Sequence, residues 1–484
     1  MVYKHAIRHV RTWVRPMMAE SPESIELSEE VYDPRLREFA RLRARMERFD
    51  EAGGRVGDLA GIGRRMVELA IPLRDALVAE RLPLNRQRFG EVREAVDGAL
   101  ACARWHLRVL QEIRSPYLCG FRGSGEVLAG GLELLADAFE LACLARISAP
   151  HDFWLTAHGL YLRAAAEACE PAAIIYKRLL ALATIQPESF SSPELIEIFA
   201  IARGSAGLGE LRNGEGEPPG QGWFWVDIAQ DCPPVAIVRR EPPPVDDLVF
   251  FSAAALARAA SERLARDQAA DATAQQGDGA AEVLLRCLRE RWAMPPRRVQ
   301  PRRRSEYEIQ VCAGLDEIWR LLVRGEDGMP PRKWTVQNES PGGFSIMQIS
   351  SKDGDDLTAG MAVALRRVAS AGWAVCVVRW IRSEQPGQVE LGLQLVSQAA
   401  IPVRVAFRSG NSARLPVAAL VLPPLTGVRR HQAVLAPAGT YSARRFMLVH
   451  DSDRLYVAQG RLLSLDMQTD AIELFQFEVD PYPI

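Results

Sequence analysis

The chain lacks most of what would mark it as an enzyme, an exported protein or a membrane protein. No run approaches the ~18 apolar residues that a membrane-crossing helix needs. The opening MVYKHAIRHVRTWVRP is too polar for the apolar core of a secretory signal, which points to a cytoplasmic location. The eight cysteines (102, 119, 143, 169, 232, 287, 312 and 376) include no Cys-x-x-Cys pair and no nearby histidine at zinc-ligand spacing, so they read as thiols in a reducing compartment. Charge of one sign is also missing: 59 basic against 61 acidic residues give a net charge of −2 and no global electrostatic case for nucleic acid. Gly-x4-Gly-Lys-Ser/Thr, Gly-x-Ser-x-Gly and His-Glu-x-x-His are all absent, so no phosphate cradle, serine nucleophile or zinc-protease helix is written in the chain. The glycines of RGSAGLGELRNGEG miss dinucleotide spacing.

What is present is an ordinary globular composition, 48% hydrophobic and 25% charged, in 484 residues, enough for several domains. From Asp33 to about Arg203 the apolar residues follow a helical period. Asp33-Pro34 resembles an N-cap with proline at the first helical position, and Leu36, Phe39, Leu42, Met46 and Phe49 recur every three or four residues, with Gly53-Gly54 as a stop. Further helices are expected around Asn85 to Ile113, Gly125 to Ile147, Trp154 to Cys169 and Pro171 to Thr184, and another opening at Ser192-Pro193. No fixed-period repeat names this all-helical domain, assigned to residues 1–206.

Three charged constellations here have plain explanations. His5 and His9 have metal-compatible helical spacing without an acidic or cysteine companion. The arginines between Arg35 and Arg48 are interleaved with Glu38 and Glu47, as on a solvated helix face. His151, Asp152 and His158 invite a catalytic reading, but a helix start with Asp152 near the cap and His158 facing a neighbour accounts for them with less machinery.

Composition changes at GLGELRNGEGEPPGQG, Gly207 to Gly222. WFWVDI and PVAIVRR read as short strands, LVFFSAAALARAASERLARD as a strand running into a helix, and DQAADATAQQGDGAAE, Asp267 to Glu282, as a low-complexity connector before a helix ending near Trp292. Together these make a mixed connector over residues 207–296. From Tyr307 the period becomes two, most clearly at Val389, Leu391, Leu393 and Leu395, and short strands separated by glycine-containing turns indicate an antiparallel barrel or sandwich. Residues 401–484 continue in the same style and are long enough for a second small β domain. The fold class is therefore multidomain α+β.

Two elements of the β region carry binding chemistry. MPPRRVQPRRR places five arginines between Arg297 and Arg304 among helix-blocking prolines, and the strand reaching Gln337 opens into Asn338-Glu339-Ser340-Pro341-Gly342-Gly343. The arginine fork pairs bidentately with phosphate or with the O6/N7 edge of guanine and stacks on bases. Asn338 and Ser340 offer donors and acceptors, and Gly343 permits close backbone approach to a ligand. Taken singly, the arginine run is also what a solvated linker looks like, and Pro341-Gly342 what an ordinary turn looks like.

In this order the residues resemble the PilZ domain, the bacterial receptor domain for cyclic di-GMP, with an Arg-x-x-x-Arg before its first strand and an Asp/Asn-x-Ser-x-x-Gly further on. Arg298-Val-Gln-Pro-Arg302 and Asn338-Glu-Ser340-Pro-Gly-Gly343 carry the resemblance, which continues through LTAGMAVAL, VVRW and VELGLQLV and covers about Arg297 to Gln398. It implies a six-stranded antiparallel barrel over residues 297–400 and sensing without chemistry. Cyclic di-GMP is the implied ligand: Arg298 and Arg302 would hold phosphates and guanine faces, Asn338 and Ser340 would contact guanine or phosphate, Gly343 would keep the loop open, and Arg297 would help with an intercalated ligand dimer. No cofactor, metal or catalytic residue is implied, and the signatures of enzymes that make or degrade cyclic di-GMP, Gly-Gly-Asp-Glu-Phe and Glu-Ala-Leu, are absent. The chain departs from the pattern at AGLDEIWRLLVRGEDGMPPRK, an insertion between the motifs longer than the family norm. Two readings stand: a receptor that relays ligand level to an unidentified protein partner through its helical domain by a domain rearrangement, and a non-catalytic adaptor whose barrel binds no nucleotide.

Overall fold

A computed structural model describes the chain from residue 34 to 480 apart from 52–57, 113–118, 215–219, 221, 246, 272–278, 294–299, 329, 350–355, 368–371, 410–411, 414, 426, 428, 442–444 and 452–454. His5, His9, Gly53-Gly54, Arg297 and Arg298 therefore lie outside the described residues.

Among the described residues, seven α-helices form the first part: α1 (Pro34–Glu51), α2 (Leu59–Val78), α3 (Arg86–Glu112), α4 (Ser124–Ala145), α5 (Phe153–Ala166), α6 (Glu170–Thr184) and α7 (Ser192–Ser205). α4 is apolar nearly all round because it is the central helix, packed against α2, α3, α5 and α6. α7 opens with a capping box in which Ser191 receives the Glu194 amide and the Glu194 carboxylate receives the Ser191 amide, so the cap is one residue earlier than the sequence suggests. α2 carries Pro72 in its interior and has no counterpart in the sequence-based expectations.

The connector is a four-stranded antiparallel sheet, β1 (Glu210–Asn213), β2 (Trp223–Asp227), β3 (Val235–Ala236) and β4 (Leu248–Ser252), in the order β1-β4-β2-β3, followed by α8 (Ala254–Asp271) and α9 (Gly279–Ala293). α9 is seated on the helical part: Trp292 is fully buried and its indole N–H donates to the Ala181 carbonyl at 3.2 Å.

Next come β5 (Arg303–Ala313), α10 (Leu315–Arg324), β6 (Arg332–Ser340), β7 (Gly343–Ile349), β8 (Ala362–Arg366), β9 (Ala374–Arg382) and β10 (Gln388–Ser397). The six strands close into an antiparallel barrel in the order β10-β7-β6-β5-β8-β9. Ile309, Val311, Trp334, Val336, Ile346, Cys376, Val378, Ile381, Leu391 and Leu393 fill it. The long insertion between the motifs is α10, and it leaves the barrel closed.

The last part is a second closed barrel. β11 (Ile401–Ser409), β13 (Val417–Leu422), β14 (Ala433–Pro437), β15 (Arg445–Asp451), β16 (Leu455–Gln468) and β17 (Ile472–Val479) run β11-β13-β14-β17-β16-β15, and β15 pairs back onto β11, while β12 (Ser412–Ala413) extends the end of β11. Numbered within each barrel, both follow the strand order 1-2-3-6-5-4: the C-terminal barrel repeats the topology of the first. α10 joins them. Leu315, Ile318 and Leu321 share one apolar cluster with Ala362, Ala364, Val375 and Val377 of the first barrel and Leu420, Leu422, Leu435 and Leu474 of the second, and the Trp319 indole N–H donates to the Val403 carbonyl at 2.8 Å. β8 is consequently buried on both faces.

The helical part meets the first barrel at the β9–β10 turn. The Ser383 amide donates to the Arg146 carbonyl at 2.8 Å, Ser148 Oγ to Glu384 at 2.6 Å and Arg382 to Glu188 at 3.2 Å.

Candidate functional site

The site is set by strand pairing. β6 continues through Ser340 and β7 begins at Gly343, so Asn338-Glu339-Ser340 is the end of a strand and Pro341-Gly342 a two-residue turn. The expected loop is thus a tight hairpin, because the cross-strand pairs Asn338–Ser345, Glu339–Phe344 and Ser340–Gly343 carry the ladder to the turn itself. The two-residue spacing in Asn-x-Ser now has a geometric meaning: side chains alternate, so Asn338 and Ser340 share the outer face while Glu339 points the other way.

The last residue of the arginine arm before β5 reaches this face. Arg302 Nη1 donates to Asn338 Oδ1 at 3.0 Å, joining residues from the two motifs. Arg303 and Arg304 are not linker residues but the first residues of β5, opposite Glu339 and Asn338. Ser340 Oγ donates to the Gly343 carbonyl at 3.3 Å. A Cβ on Gly343 would lie 2.0 Å from the Leu393 carbonyl oxygen, so the close backbone approach that Gly343 permits is to β10.

Glu339, inside the rim, accepts hydrogen bonds from Ser305 Oγ at 3.0 Å and Tyr307 Oη at 2.7 Å and pairs with Arg367 at 3.5 Å. The Tyr307 bond, with help from Ser305 and Arg367, holds its carboxyl below the usual carboxylate range. Arg367 also lies 4.1 Å from the Tyr307 ring centroid. This network pins the strand end that presents Asn338 and Ser340.

Pairing extends the outer row past the motif. Arg304 faces Asn338, Asn338 faces Ser345, Ser345 faces Gly392, and Gly392 faces Trp380. Ser345 and Trp380 have no place in the sequence-based site. The signal that marks them is the glycine inside the otherwise regular VELGLQLV strand.

The alternative constellation near Trp154 is structural. Asp231 receives the Asp152 and Trp154 amides at the start of α5, and Asp152 pairs with Arg104 at 2.9 Å. Although ligand atoms of His151, Asp152 and Asp231 lie within 4.8 Å of one another, both carboxylates are engaged in these contacts. His158 is buried between Tyr176 Oη and the Cys232 carbonyl, and burial lowers its pKa to about 4.

Among the described residues no helix is long and apolar enough to cross a membrane. Residues 324–402 match the family described as "Cyclic-di-GMP receptor FimW, middle PilZ domain", and residues 40–215 match "Cyclic-di-GMP receptor FimW, N-terminal domain". The helical part, which lies outside the PilZ resemblance and goes unrecognised in the sequence, is thus similar to a domain of the same receptor. The first match begins after β5 and leaves out the arginine arm. A curated relative, the cyclic-di-GMP receptor FimW of Pseudomonas aeruginosa, is 29% identical over 132 residues, 27% of this chain and 22% of the relative. The aligned region thus spans about a fifth of that protein's length.

Proposed function

Taking the first barrel as the PilZ domain that its family match makes it, we propose that the chain is a cyclic di-GMP receptor working in the cytoplasm. The ligand is clamped between the arginine arm and the outer face of β6 and β7. The hydrogen bond from Arg302 to Asn338 carries this reading, because it brings the two motifs onto one face. Arg298 and Arg302 supply the cationic forks for phosphates and for guanine O6/N7, Arg297 adds charge for a second ligand copy, and Asn338 and Ser340 complete the polar contacts. Gly343 keeps β7 tight against β10, so that Asn338 and Ser340 stay presented.

The receptor binds and does not transform its ligand. Its output runs through the arm, which joins α9 to β5. α9 is fixed to the helical part by Trp292, so drawing the arm onto the barrel biases the relation between barrel and helices, and the helical part passes that bias to a protein partner. The test is calorimetric titration of cyclic di-GMP into the full chain and into Arg298→Ala/Arg302→Ala. Micromolar or tighter binding that the double substitution abolishes supports the receptor, whereas no binding by the wild type leaves the non-binding adaptor.

A further inference from the structure

Where the helical part, the connector and the β9–β10 turn of the first barrel meet, they enclose a cavity of about 520 Å³, and a buried cation without a counterion stands in its wall. We propose that this cavity is a second binding site, separate from the barrel face, that takes the oxyanion group of a small molecule, a phosphate or a carboxylate, on Arg146.

Arg146 follows the last turn of α4 and is only 4% exposed. Its Nη1 and Nη2 donate to uncharged oxygens, the Pro187 carbonyl and Ser192 Oγ, both at 3.3 Å, and its Nε has no partner. Among the described residues no carboxylate lies within 4 Å of it. A guanidinium carried out of water without a paired anion weighs heavily against the fold, and burial lowers the pKa of Arg146 to about 10. The carboxylates that act on it from further off serve other groups: Glu188 pairs with Arg382, and Glu194 closes the capping box of α7. Arg146 also has φ +63°, the left-handed conformation in which helices usually end on glycine. An arginine there adds backbone strain to the desolvation, and no ion pair within the fold offsets either.

The other walls suit a small organic anion. Arg239 of the connector and Arg382 of β9 line the same cavity, and Trp154, Pro233 and Pro234 give it apolar surface. Its carboxylates are already engaged: Asp231 receives the Asp152 and Trp154 amides, Glu384 receives the Ser148 amide and hydroxyl, and Glu188 holds Arg382. Arg146 is thus a lining charge left without an opposite one, and its planar fork suits an oxyanion bidentately. The volume is that of a small-molecule pocket and exceeds what a bare ion fills, so the ligand has a body beyond its anionic group. Because the Ser383 amide donates to the Arg146 carbonyl at 2.8 Å, the site sits on the joint between barrel and helices.

The experiment follows the melting temperature of the full chain, as wild type, Arg146→Met and Arg146→Lys, in increasing sodium phosphate or sodium acetate at constant pH, with sodium chloride of matched ionic strength as the reference. At about ten times its dissociation constant, a bound anion should raise the wild-type melting temperature by roughly 2–4 °C over chloride. A shift with phosphate alone assigns the site to phosphoryl groups, and one with acetate alone to carboxylates. Arg146→Met should lose the shift and, freed of a buried unpaired charge, melt no lower than the wild type in chloride. Arg146→Lys, which keeps the charge without the fork, should keep a smaller shift. An Arg146→Met chain that melts below the wild type in chloride, as a purely structural arginine requires, overturns the site. So does a shift of the same size in wild type and Arg146→Met, or no shift with either anion.

Discussion

The Arg302 guanidinium lies 3.0 Å from the Asn338 side-chain oxygen, a bond between a residue just before the first strand of the barrel and one near the end of the second. It brings Arg302, directly before β5, to the face where the polar strand residues stand. A lysine at this position keeps the charge but loses the planar fork, so Arg302→Lys is expected to weaken cyclic di-GMP binding by roughly ten-fold, with an unchanged melting temperature. Titration beside a thermal melt checks both halves.

The two glycines at the turn should respond differently to alanine. At Gly343 the added methyl would meet the Leu393 carbonyl oxygen at 2.0 Å, backbone against backbone. At Gly342 the nearest atom is the end of the Gln300 side chain at 3.2 Å, which can move aside. Gly343→Ala is therefore expected to destabilise the barrel by about 1–3 kcal/mol in urea unfolding and Gly342→Ala to change stability little.

Much of this architecture is legible in the sequence, and what is not has identifiable causes. The helices beyond Asn85 other than the central α4 announce themselves by their period, and Val389 to Leu395 announces β10, because each has one face in the core and one outside it. α2 does not, since Pro72 and its glycines break the pattern that its buried face would otherwise show. β8 is buried at every position and apolar from Ala362 to Leu365, because α10 and the second barrel cover its outer face, so no alternation remains to be read. Closure of the second barrel depends on β15 returning to β11, a pairing between distant segments that neither strand encodes locally. In the site, Asn338 and Ser340 are readable from their spacing. Trp380 is not, because its place beside them arises only through two intervening strands.

α10 holds the barrels together through a few contacts, of which one is easily removed. Trp319→Phe keeps the apolar packing but loses the indole N–H that donates to the Val403 carbonyl, and should cost about 1 kcal/mol. Trp319→Ala also removes the packing, and should make the segment between the barrels cut faster in limited proteolysis while the first barrel stays folded. Equal cleavage of wild type and Trp319→Ala would show that α10 is not the joint.

Two buried histidines give the stability a pH dependence of definite sign. Burial lowers the pKa of His106 and of His158 to about 4. Unfolded, each titrates near ~6.5. Between these values the unfolded chain binds more protons than the folded one, so their contribution is fully present above pH ~6.5 and is lost as pH falls toward 4. At ~1.4 kcal/mol per pH unit, each accounts for up to roughly 3 kcal/mol by pH 4. His158→Gln should flatten the fall in melting temperature between pH 6.5 and 4.5, and a fall as steep as in the wild type would contradict this.

The central claim is that the arm and the strand motif act on one ligand together, and a double-mutant cycle measures it directly. Cyclic di-GMP affinity is determined for the wild type, Arg302→Ala, Asn338→Ala and the double variant. The account predicts that both single substitutions weaken binding and that the double loses clearly less than the sum of the two free-energy losses, because the residues share one contact network. Strictly additive losses, or a wild type that does not bind cyclic di-GMP, would contradict it.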